Sequence, residues 1–202
     1  MPEITSSLSL LALIALGAYL LGTVPFGIVI TRGLGLGDLR QIGSGNIGAT
    51  NVLRTGNRWA ALMTLLLDAG KGGIAVVIAR QFGPSDAEQL AALAAFLGHL
   101  FPIWLGFRGG KGVATFLGTL ILLAWPVGLA SCATWLVTFA LTRISSLSAL
   151  IAALSVVFWL GIAGYSDMIA LGASLAALIL WRHEANIKRL LAGTEPRFTK
   201  RQ

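Results

Sequence analysis

Apolar segments long enough to cross a lipid bilayer recur along this chain of 202 residues. About 20 consecutive, mainly apolar residues form a helix that spans the hydrocarbon core, and within lipid the backbone must make its hydrogen bonds internally. Charged residues make up only 11% of the chain, against about 25% in an ordinary globular domain. The sequence therefore predicts an all-α, polytopic integral membrane protein with a single domain over residues 1–202.

Seven transmembrane helices are predicted from the positions of these segments. They are expected at 8–30, 59–79, 87–105, 149–163 and 168–181, with two shorter helices inside the apolar run 113–141. Trp125 and Pro126 divide that run, because proline interrupts a helix. Pro25 and Gly27 are expected to bend the first helix. The alternative is five spans, in which 113–141 crosses once and another segment is re-entrant.

The distribution of lysine and arginine predicts how the chain is oriented. With seven spans, one face receives every Lys and Arg except Arg80 and Lys71. By the positive-inside rule that face is cytoplasmic, which places the C-terminus inside and the N-terminus outside. The net charge of +7 comes from residues spread over short loops. No basic face interleaved with aromatic residues accompanies them, which argues against nucleic acid as a partner.

A glycine-rich turn with one lysine, at 109–112, interrupts the apolar sequence between the third and fourth predicted spans. Gly109, Gly110 and Gly112 are expected to leave backbone N–H groups open beside the positive charge of Lys111, which is the chemistry of a phosphate-binding loop. It is not a Walker A motif, because Leu105 stands where the first glycine belongs and Gly112 where Ser or Thr belongs. His99, on the preceding helix, is interpreted as a hydrogen-bonded packing residue.

The connection between the first two spans is a second candidate for binding phosphate. It contains G-x-G-x-x-G, but a dinucleotide site requires a strand and a βαβ unit around it, and neither fits here. Small residues let the backbone approach an anion, amide and hydroxyl groups donate hydrogen bonds, and an arginine can bind phosphate through two nitrogens. The candidate residues are Ser44, Gly45, Asn46, Gly48, Thr50, Asn51 and Arg54. The alternative is a flexible glycine-rich linker.

Asp68 and Lys71 lie within the second predicted span, on one face of the helix. Ionisable residues inside a membrane usually face a cavity or a partner, so Lys71 is a candidate substrate-binding residue. The alternative is a buried ion pair that only positions helices.

Polar residues near the C-terminal end form the last candidate group. His183 and Asn186 share a face if the final helix continues, and either can donate a hydrogen bond to an oxygen that carries charge. Ser146 is interpreted either as part of this site or, with Ser145, as a cap for the sixth helix. Lys188 and Arg189 are expected to meet membrane lipid headgroups.

Taken together, these segments resemble the successive motifs of the bacterial PlsY family, the acyl-phosphate:glycerol-3-phosphate acyltransferases. The resemblance covers nearly the whole chain and is carried by SGNIGATNVLR (44–54), DAGKG (68–72), GHLFPIWLGFRGGKGVAT (98–115), SSL (145–147) and RHEANIKRLLAGTE (182–195). It implies transfer of a fatty acyl group from acyl phosphate to the 1-hydroxyl of glycerol 3-phosphate, which gives lysophosphatidic acid and phosphate in the first step of phospholipid synthesis. It also implies a multi-pass protein of the bacterial plasma (inner) membrane with a cytoplasm-facing site, no metal and no cofactor.

The resemblance also implies catalysis without the His-x4-Asp motif of other glycerolipid acyltransferases. The corresponding positions after His99 and His183 hold Trp104 and Lys188. Catalysis is therefore expected to depend on positioning and charge stabilisation, with Lys111 among the groups that bind phosphate and with a substrate phosphate accepting the hydroxyl proton. His183, Asn186 and Ser146 are expected to orient the hydroxyl and the developing oxyanion.

Two other classes of protein remain open from the sequence, and so does a partner. An anion transporter would line its path with Lys71 and Lys111, and a structural membrane subunit would need neither. A soluble acyl-phosphate-forming enzyme is an open candidate as the partner that supplies the donor.

Overall fold

A computed structural model of the chain describes residues 2–198, which are helical and contain no β-strand. The helices of the described residues are α1 (Leu8–Gly22), α2 (Phe26–Gly33), α3 (Ala49–Val52), α4 (Arg58–Arg80), α5 (Ser85–Leu100), α6 (Val113–Leu123), α7 (Trp125–Thr142), α8 (Ser145–Ile162), α9 (Ile169–Arg182) and α10 (Glu184–Leu191). Contacts within the chain divide it into two compact units, an N-terminal unit of residues 2–123 and a C-terminal unit of residues 124–198. The predicted all-α class is confirmed.

Five helical segments among residues 2–198 are long and apolar enough to cross a membrane. They are Leu8–Gly33, Arg58–Arg80, Ser85–Leu105, Trp125–Thr142 and Ser145–Ile162. A sixth is added if Ser166–Arg182 and Glu184–Leu191, which are bent by 66° at their junction, form one broken span. Helix α6 has 11 residues and is about 16 Å long, roughly half the thickness of the hydrocarbon core. Five or six spans follow from length and composition, while the predicted seven and their orientation stay predictions.

The two predicted breaks at proline are present in the structure. Helix α1 ends at Gly22 and α2 begins at Phe26, directly after Pro25. Helix α7 begins at Trp125, with Pro126 in its first turn, where a missing N–H costs no helical hydrogen bond. Both breaks therefore follow from the local chemistry of proline.

Glycines allow the helices of the N-terminal unit to approach closely. A Cβ on Gly22 of α1 would lie 2.1 Å from the carbonyl oxygen of Ala95 on α5, and one on Gly118 of α6 would lie 2.1 Å from the carbonyl oxygen of Ala69 on α4. Neither position can hold a larger residue without separating the helices. Close backbone contact through small residues is how helices associate in lipid, where apolar side chains gain little from leaving the solvent.

In the C-terminal unit, α8 packs against both α7 and α9. Its buried face carries small side chains such as Ala152 and Ala153, whereas α7 leaves Leu136, Val137 and Leu141 exposed. An exposed run of large apolar side chains on a long helix is typical of a surface that faces lipid.

Candidate functional site

The segment between α2 and α4 is folded around the buried side chain of Asn51. Its Nδ2 donates to the carbonyl oxygens of Leu39 and Ile42, at 2.9 Å each. Its Oδ1 accepts from the backbone N–H of Ser44 at 3.1 Å and from Arg54 Nη1 at 3.3 Å. The amide hydrogens expected to reach phosphate are thus bonded within the loop. This corrects the expected role of Asn51, which shapes the segment.

The other polar residues of this segment lie nearer its surface. Ser44 is exposed, whereas Asn46, Thr50 and Arg54 are half-buried. Gly45 has a φ of +68°, and its N–H donates to the carbonyl oxygen of Ile42 at 2.9 Å. A residue with a side chain adopts such a φ at a cost, so glycine permits the turn.

Gly48 precedes helix α3, and the Asn46 side-chain nitrogen lies 3.4 Å from where a Cβ on Gly48 would stand. The Ser44 N–H and Arg54 Nη1 both bond to Asn51 Oδ1, which brings these two predicted phosphate ligands together.

The glycine–lysine loop (106–112) connects α5 to α6 and folds back onto the end of α5. Gly109 N–H donates to the carbonyl oxygen of Leu100 at 3.0 Å, and Gly110 N–H donates to that of His99 at 3.1 Å. These two donors therefore satisfy the carbonyls at the helix end. The expectation that both N–H groups are open to an anion is corrected accordingly.

The same glycines are needed because the loop lies against His99. A Cβ on Gly109 would lie 2.1 Å from the carbonyl oxygen of His99, and a Cβ on Gly110 would lie 2.1 Å from its Nε2. Gly112 has a φ of +83° and packs against the ring of Phe96. Glycine at these positions thus allows close packing.

Lys111 lies within this loop, half-buried, two residues before α6 begins at Val113. The N-terminus of a helix carries partial positive charge from its unpaired N–H groups, and it adds to the charge of a nearby ammonium group. The loop therefore brings two sources of positive potential to one place. The interpretation of Lys111 as an anion ligand stays a prediction, and its position beside the start of α6 supports it.

Lys71 is buried inside the N-terminal unit with its charge neutralised. Its Nζ lies 2.9 Å from Asp68 Oδ1 and donates to the carbonyl oxygen of Val24 at 2.8 Å. It also lies 5.7 Å from the centre of the Phe26 ring. Because Val24 is in the break between α1 and α2, these contacts favour the structural interpretation of Lys71.

In the C-terminal unit, Glu195 holds together three polar side chains. Its Oε1 accepts from Ser146 Oγ at 2.6 Å and from Asn186 Nδ2 at 2.5 Å, and its Oε2 accepts from Arg189 Nε at 2.6 Å. Ser146 is not the cap of α8, whose N-cap is Ile144 without a side-chain bond. Ser146 and Asn186, both predicted site residues, are thus brought together through one carboxylate.

The charge on Glu195 is favoured by these contacts. Burial alone would raise the pKa of this carboxyl, but the hydrogen bonds from Ser146, Asn186 and Arg189, with the charge of Arg189, outweigh burial and lower it. Sequence reasoning did not single out Glu195, since a glutamate beyond the last helix gives no signal that Ser146, 49 positions away, donates to it.

His183 lies at the junction of α9 and α10, and its side chain is buried. Its Nδ1 is 2.8 Å from the carbonyl oxygen of Ile179. A carbonyl can only accept, so Nδ1 carries the hydrogen and, in the neutral imidazole, Nε2 has the lone pair. The contact with Ile179 therefore fixes the orientation of the ring and the tautomer of its neutral form.

No group of three or more His, Cys, Asp or Glu side chains among residues 2–198 is placed to hold a metal ion. The expectation of chemistry without metal or cofactor stays a prediction.

Comparison with known proteins gives a consistent family. The family model described as glycerol-3-phosphate acyltransferase matches residues 12–193. Two proteins of that name from strains of Cereibacter sphaeroides are 68% and 71% identical to this chain over 201 residues; these cover 100% of the chain and 96% and 100% of the two relatives.

Solved structures give the same result. The chain resembles a crystal structure of PlsY (YgiH), an integral membrane glycerol 3-phosphate acyltransferase, in its glycerol 3-phosphate form, with a TM-score of 0.89 and 41% identity over 94% of this chain and 96% of that one. The lysophosphatidic acid form of PlsY gives a TM-score of 0.87 and 40% identity over 94% and 95%. The resemblance inferred from the motifs is confirmed, and the chain belongs to the glycerol-3-phosphate acyltransferase family, with the integral membrane fold of PlsY.

Proposed function

We propose that this protein transfers a fatty acyl group from acyl phosphate to the 1-hydroxyl of glycerol 3-phosphate, giving lysophosphatidic acid and phosphate. The observation that carries the proposal is the match, at 40–41% identity over 94% of the chain, to PlsY structures described by their glycerol 3-phosphate and lysophosphatidic acid forms. A substrate and a product of the proposed reaction are thus named for a close structural relative. The reaction is the first step of membrane phospholipid synthesis.

The chemistry of acyl phosphate fits the residues that the chain offers. Acyl phosphate is a mixed anhydride with a good leaving group, so the protein need not supply a strong base. The positions that would complete a His-x4-Asp motif hold Trp104 and Lys188. Positive charge and hydrogen-bond donors, which bind phosphate and stabilise an oxyanion, are what the candidate residues supply.

Phosphate binding is assigned to residues of the N-terminal unit. Lys111, beside the start of α6, binds one phosphate group. Ser44, Asn46, Thr50 and Arg54 are the further phosphate ligands, with Gly45 and Gly48 allowing close approach of the backbone. Lys71 is left out, because Asp68 and Val24 use its charge and hydrogen bonds.

The reacting hydroxyl is assigned to the predicted residues His183 and Asn186, supported by Ser146. His183 and Asn186 orient the 1-hydroxyl, and Asn186 faces the oxygen that develops negative charge. Ser146 donates its one hydroxyl hydrogen to Glu195 and so helps to hold that carboxylate beside Asn186. The hydroxyl oxygen bonds to the acyl carbon, the bond from that carbon to the phosphate oxygen breaks, and the hydroxyl proton passes to a phosphate oxygen. Catalysis is then assisted by the substrate.

The location follows the proposed reaction and the charge distribution. We place the protein in the bacterial inner membrane with its site facing the cytoplasm, where glycerol 3-phosphate is made. A soluble enzyme that forms acyl phosphate is the class of partner that must supply the donor.

The test uses the purified protein in detergent with acyl phosphate and labelled glycerol 3-phosphate. Labelled lysophosphatidic acid should form without a partner protein or added metal, and acyl-CoA should not replace acyl phosphate. Product from acyl-CoA alone would overturn the assigned donor. Glycerol 3-phosphate flux into proteoliposomes without any acylated product would favour the transporter.

A further inference from the structure

Lys71, Asp68 and His99 form a row of polar side chains that ends at the glycine–lysine loop. All three are buried in the N-terminal unit, and the proposed reaction does not use them. The carbonyl oxygen of Val24 is 2.8 Å from Lys71 Nζ, which is 2.9 Å from Asp68 Oδ1, and that oxygen is 3.6 Å from His99 Nδ1. The imidazole then meets the loop, because a Cβ on Gly110 would lie 2.1 Å from His99 Nε2.

The burial of these groups means that their orientations are defined by one another. The side chains of Lys71, Asp68 and His99 are 1%, 3% and 4% exposed. Lys71 alone would neutralise Asp68, yet the imidazole of His99 faces the same carboxylate oxygen. A buried polar edge is costly unless a polar group faces it. The carboxylate therefore favours the ring orientation with Nδ1 toward Asp68 and Nε2 toward Gly110.

We propose that Asp68 and His99 are positioning residues for the glycine–lysine loop: Asp68 orients the His99 imidazole, the ring supports Gly110, and Lys111 is thereby held where it binds substrate phosphate. The inference rests on the proposed function, in which Lys111 is a phosphate ligand. It gives the ion pair of Asp68 and Lys71 a second role, which is to orient His99.

The loop needs such support because of its composition. Glycine has no side chain to pack, so the position of Gly110 is set by its own backbone bonds and by what lies against its Cα. The hydrogen bond from Gly110 N–H to the His99 carbonyl oxygen, at 3.1 Å, holds the backbone of Gly110, and the His99 imidazole lies against its Cα. A displacement of about 1 Å is enough to weaken a positioned contact strongly, and Lys111 is the next residue.

Two matched double variants separate this role from simple ion pairing. Asp68→Leu with Lys71→Met replaces the pair by apolar groups of similar size, which leaves no unpaired buried charge and is often tolerated. Asp68→Asn with Lys71→Met keeps an oxygen that can face His99 Nδ1. The two variants lose the contact of Lys71 with Val24 equally, so they differ only in what faces His99.

The measurements are the KM for glycerol 3-phosphate and for acyl phosphate, kcat, and the melting temperature in detergent. The leucine variant should show a KM about three- to tenfold above that of the asparagine variant for the substrate whose phosphate Lys111 binds, which corresponds to about 0.6 to 1.4 kcal/mol. The kcat values should agree within about twofold. Equal KM values in two folded variants would overturn the proposal.

A double-mutant cycle gives an independent result if the leucine variant does not fold. Gly110→Ala should raise the same KM at least about tenfold in the wild-type background, where its Cβ meets the imidazole, and less than about threefold in His99→Ala, where that space is vacant. The same fold-change in both backgrounds would show that the imidazole does not set the loop.

The test also remains separate from the proposed reaction. Turnover by the wild type with acyl phosphate decides the donor. The Kd for glycerol 3-phosphate, measured by calorimetry without a donor, compares the variants whichever donor is used. If wild type binds glycerol 3-phosphate but makes no product from acyl phosphate, only the donor assignment fails. If no variant changes either Kd or KM, the positioning role fails.

Discussion

Replacing Glu195 by glutamine is expected to weaken the hydrogen bonds that join Glu195 to Ser146, Asn186 and Arg189. The substitution keeps the size of the side chain and one oxygen, which can still accept from Ser146 and Asn186. The other oxygen becomes an NH2 group, so the bond from Arg189 Nε, at 2.6 Å, is lost. All three contacts lose the negative charge that strengthens them.

The magnitude follows from the contacts. A hydrogen bond to a charged group contributes about 1.5 to 3 kcal/mol and a neutral one about 0.5 to 1.5 kcal/mol. The Glu195 side chain is only 7% exposed, but the Arg189 side chain is 40% exposed and can turn to water, so losing this ion pair costs about 0.2 to 1 kcal/mol, and each of the two weakened bonds costs about 1 kcal/mol. One lost bond and two weakened bonds therefore lower the free energy of unfolding by about 2 to 3 kcal/mol.

The assay compares Glu195→Gln with Glu184→Gln, the same substitution at a nearby position. Glu184 is paired with Lys188 at 2.6 Å, but the side chains are 65% and 74% exposed, so little change is expected there. Glu195→Gln should lower the melting temperature in detergent by at least about 5 °C. It should also lower kcat more than tenfold, because the neutral and weaker bonds hold Asn186 and Ser146 less firmly.

A Glu195→Gln protein that melts with the wild type and turns over within twofold of it would refute the role of Glu195. An equal loss in both glutamine variants would point to net charge instead.

Three further predictions concern pH, the lysine and helix packing. The pKa of Glu195 is lowered in the folded state. The stability that the Glu195 carboxylate contributes is therefore complete above its pKa in the unfolded chain, about 4.3, and is lost as pH falls through its pKa in the folded protein. Melting temperatures measured from pH 6 to 3 should fall more for the wild type than for Glu195→Gln, and parallel curves would contradict this. Lys111→Ala should abolish turnover in the detergent assay with an unchanged melting temperature, and near-normal turnover would remove the lysine from the reaction. Gly118→Ala, whose Cβ would lie 2.1 Å from the Ala69 carbonyl oxygen, should destabilise the protein by about 1 to 3 kcal/mol; Gly17→Ala, with nothing within 4 Å of the added Cβ, is the control and should melt with the wild type.

Local features of the sequence predicted much of the secondary structure correctly. Pro25 and Pro126 mark the two breaks because proline lacks an N–H and clashes within a helix, whatever surrounds it. The apolar segments were found because lipid tolerates few polar groups. Helix α6 is the exception: the apolar run continues through it, but its 11 residues do not reach across the hydrocarbon core.

For the predicted site residues, the sequence did not reveal the hydrogen-bond partners. Gly109 and Gly110 were predicted to offer open N–H groups to phosphate, but these N–H groups bond to the end of α5. Asn51 was predicted to donate a hydrogen bond to phosphate, but its amide donates to carbonyl groups of its own loop. The residue types show that a contact is needed, while the partner depends on what folding brings near.

The sequence by itself determined that the protein is a helical membrane protein, where proline breaks its helices and to which family it belongs. Each of these depends on composition or on residues adjacent in the chain. Only the tertiary structure decided that Glu195 gathers Ser146 from 49 positions away, that Lys71 bonds Val24 across 47 positions, and that Asp68 faces His99. Hydrogen bonds and ion pairs require positions correct to a few tenths of an ångström, and packed helices, not local sequence preferences, supply that accuracy.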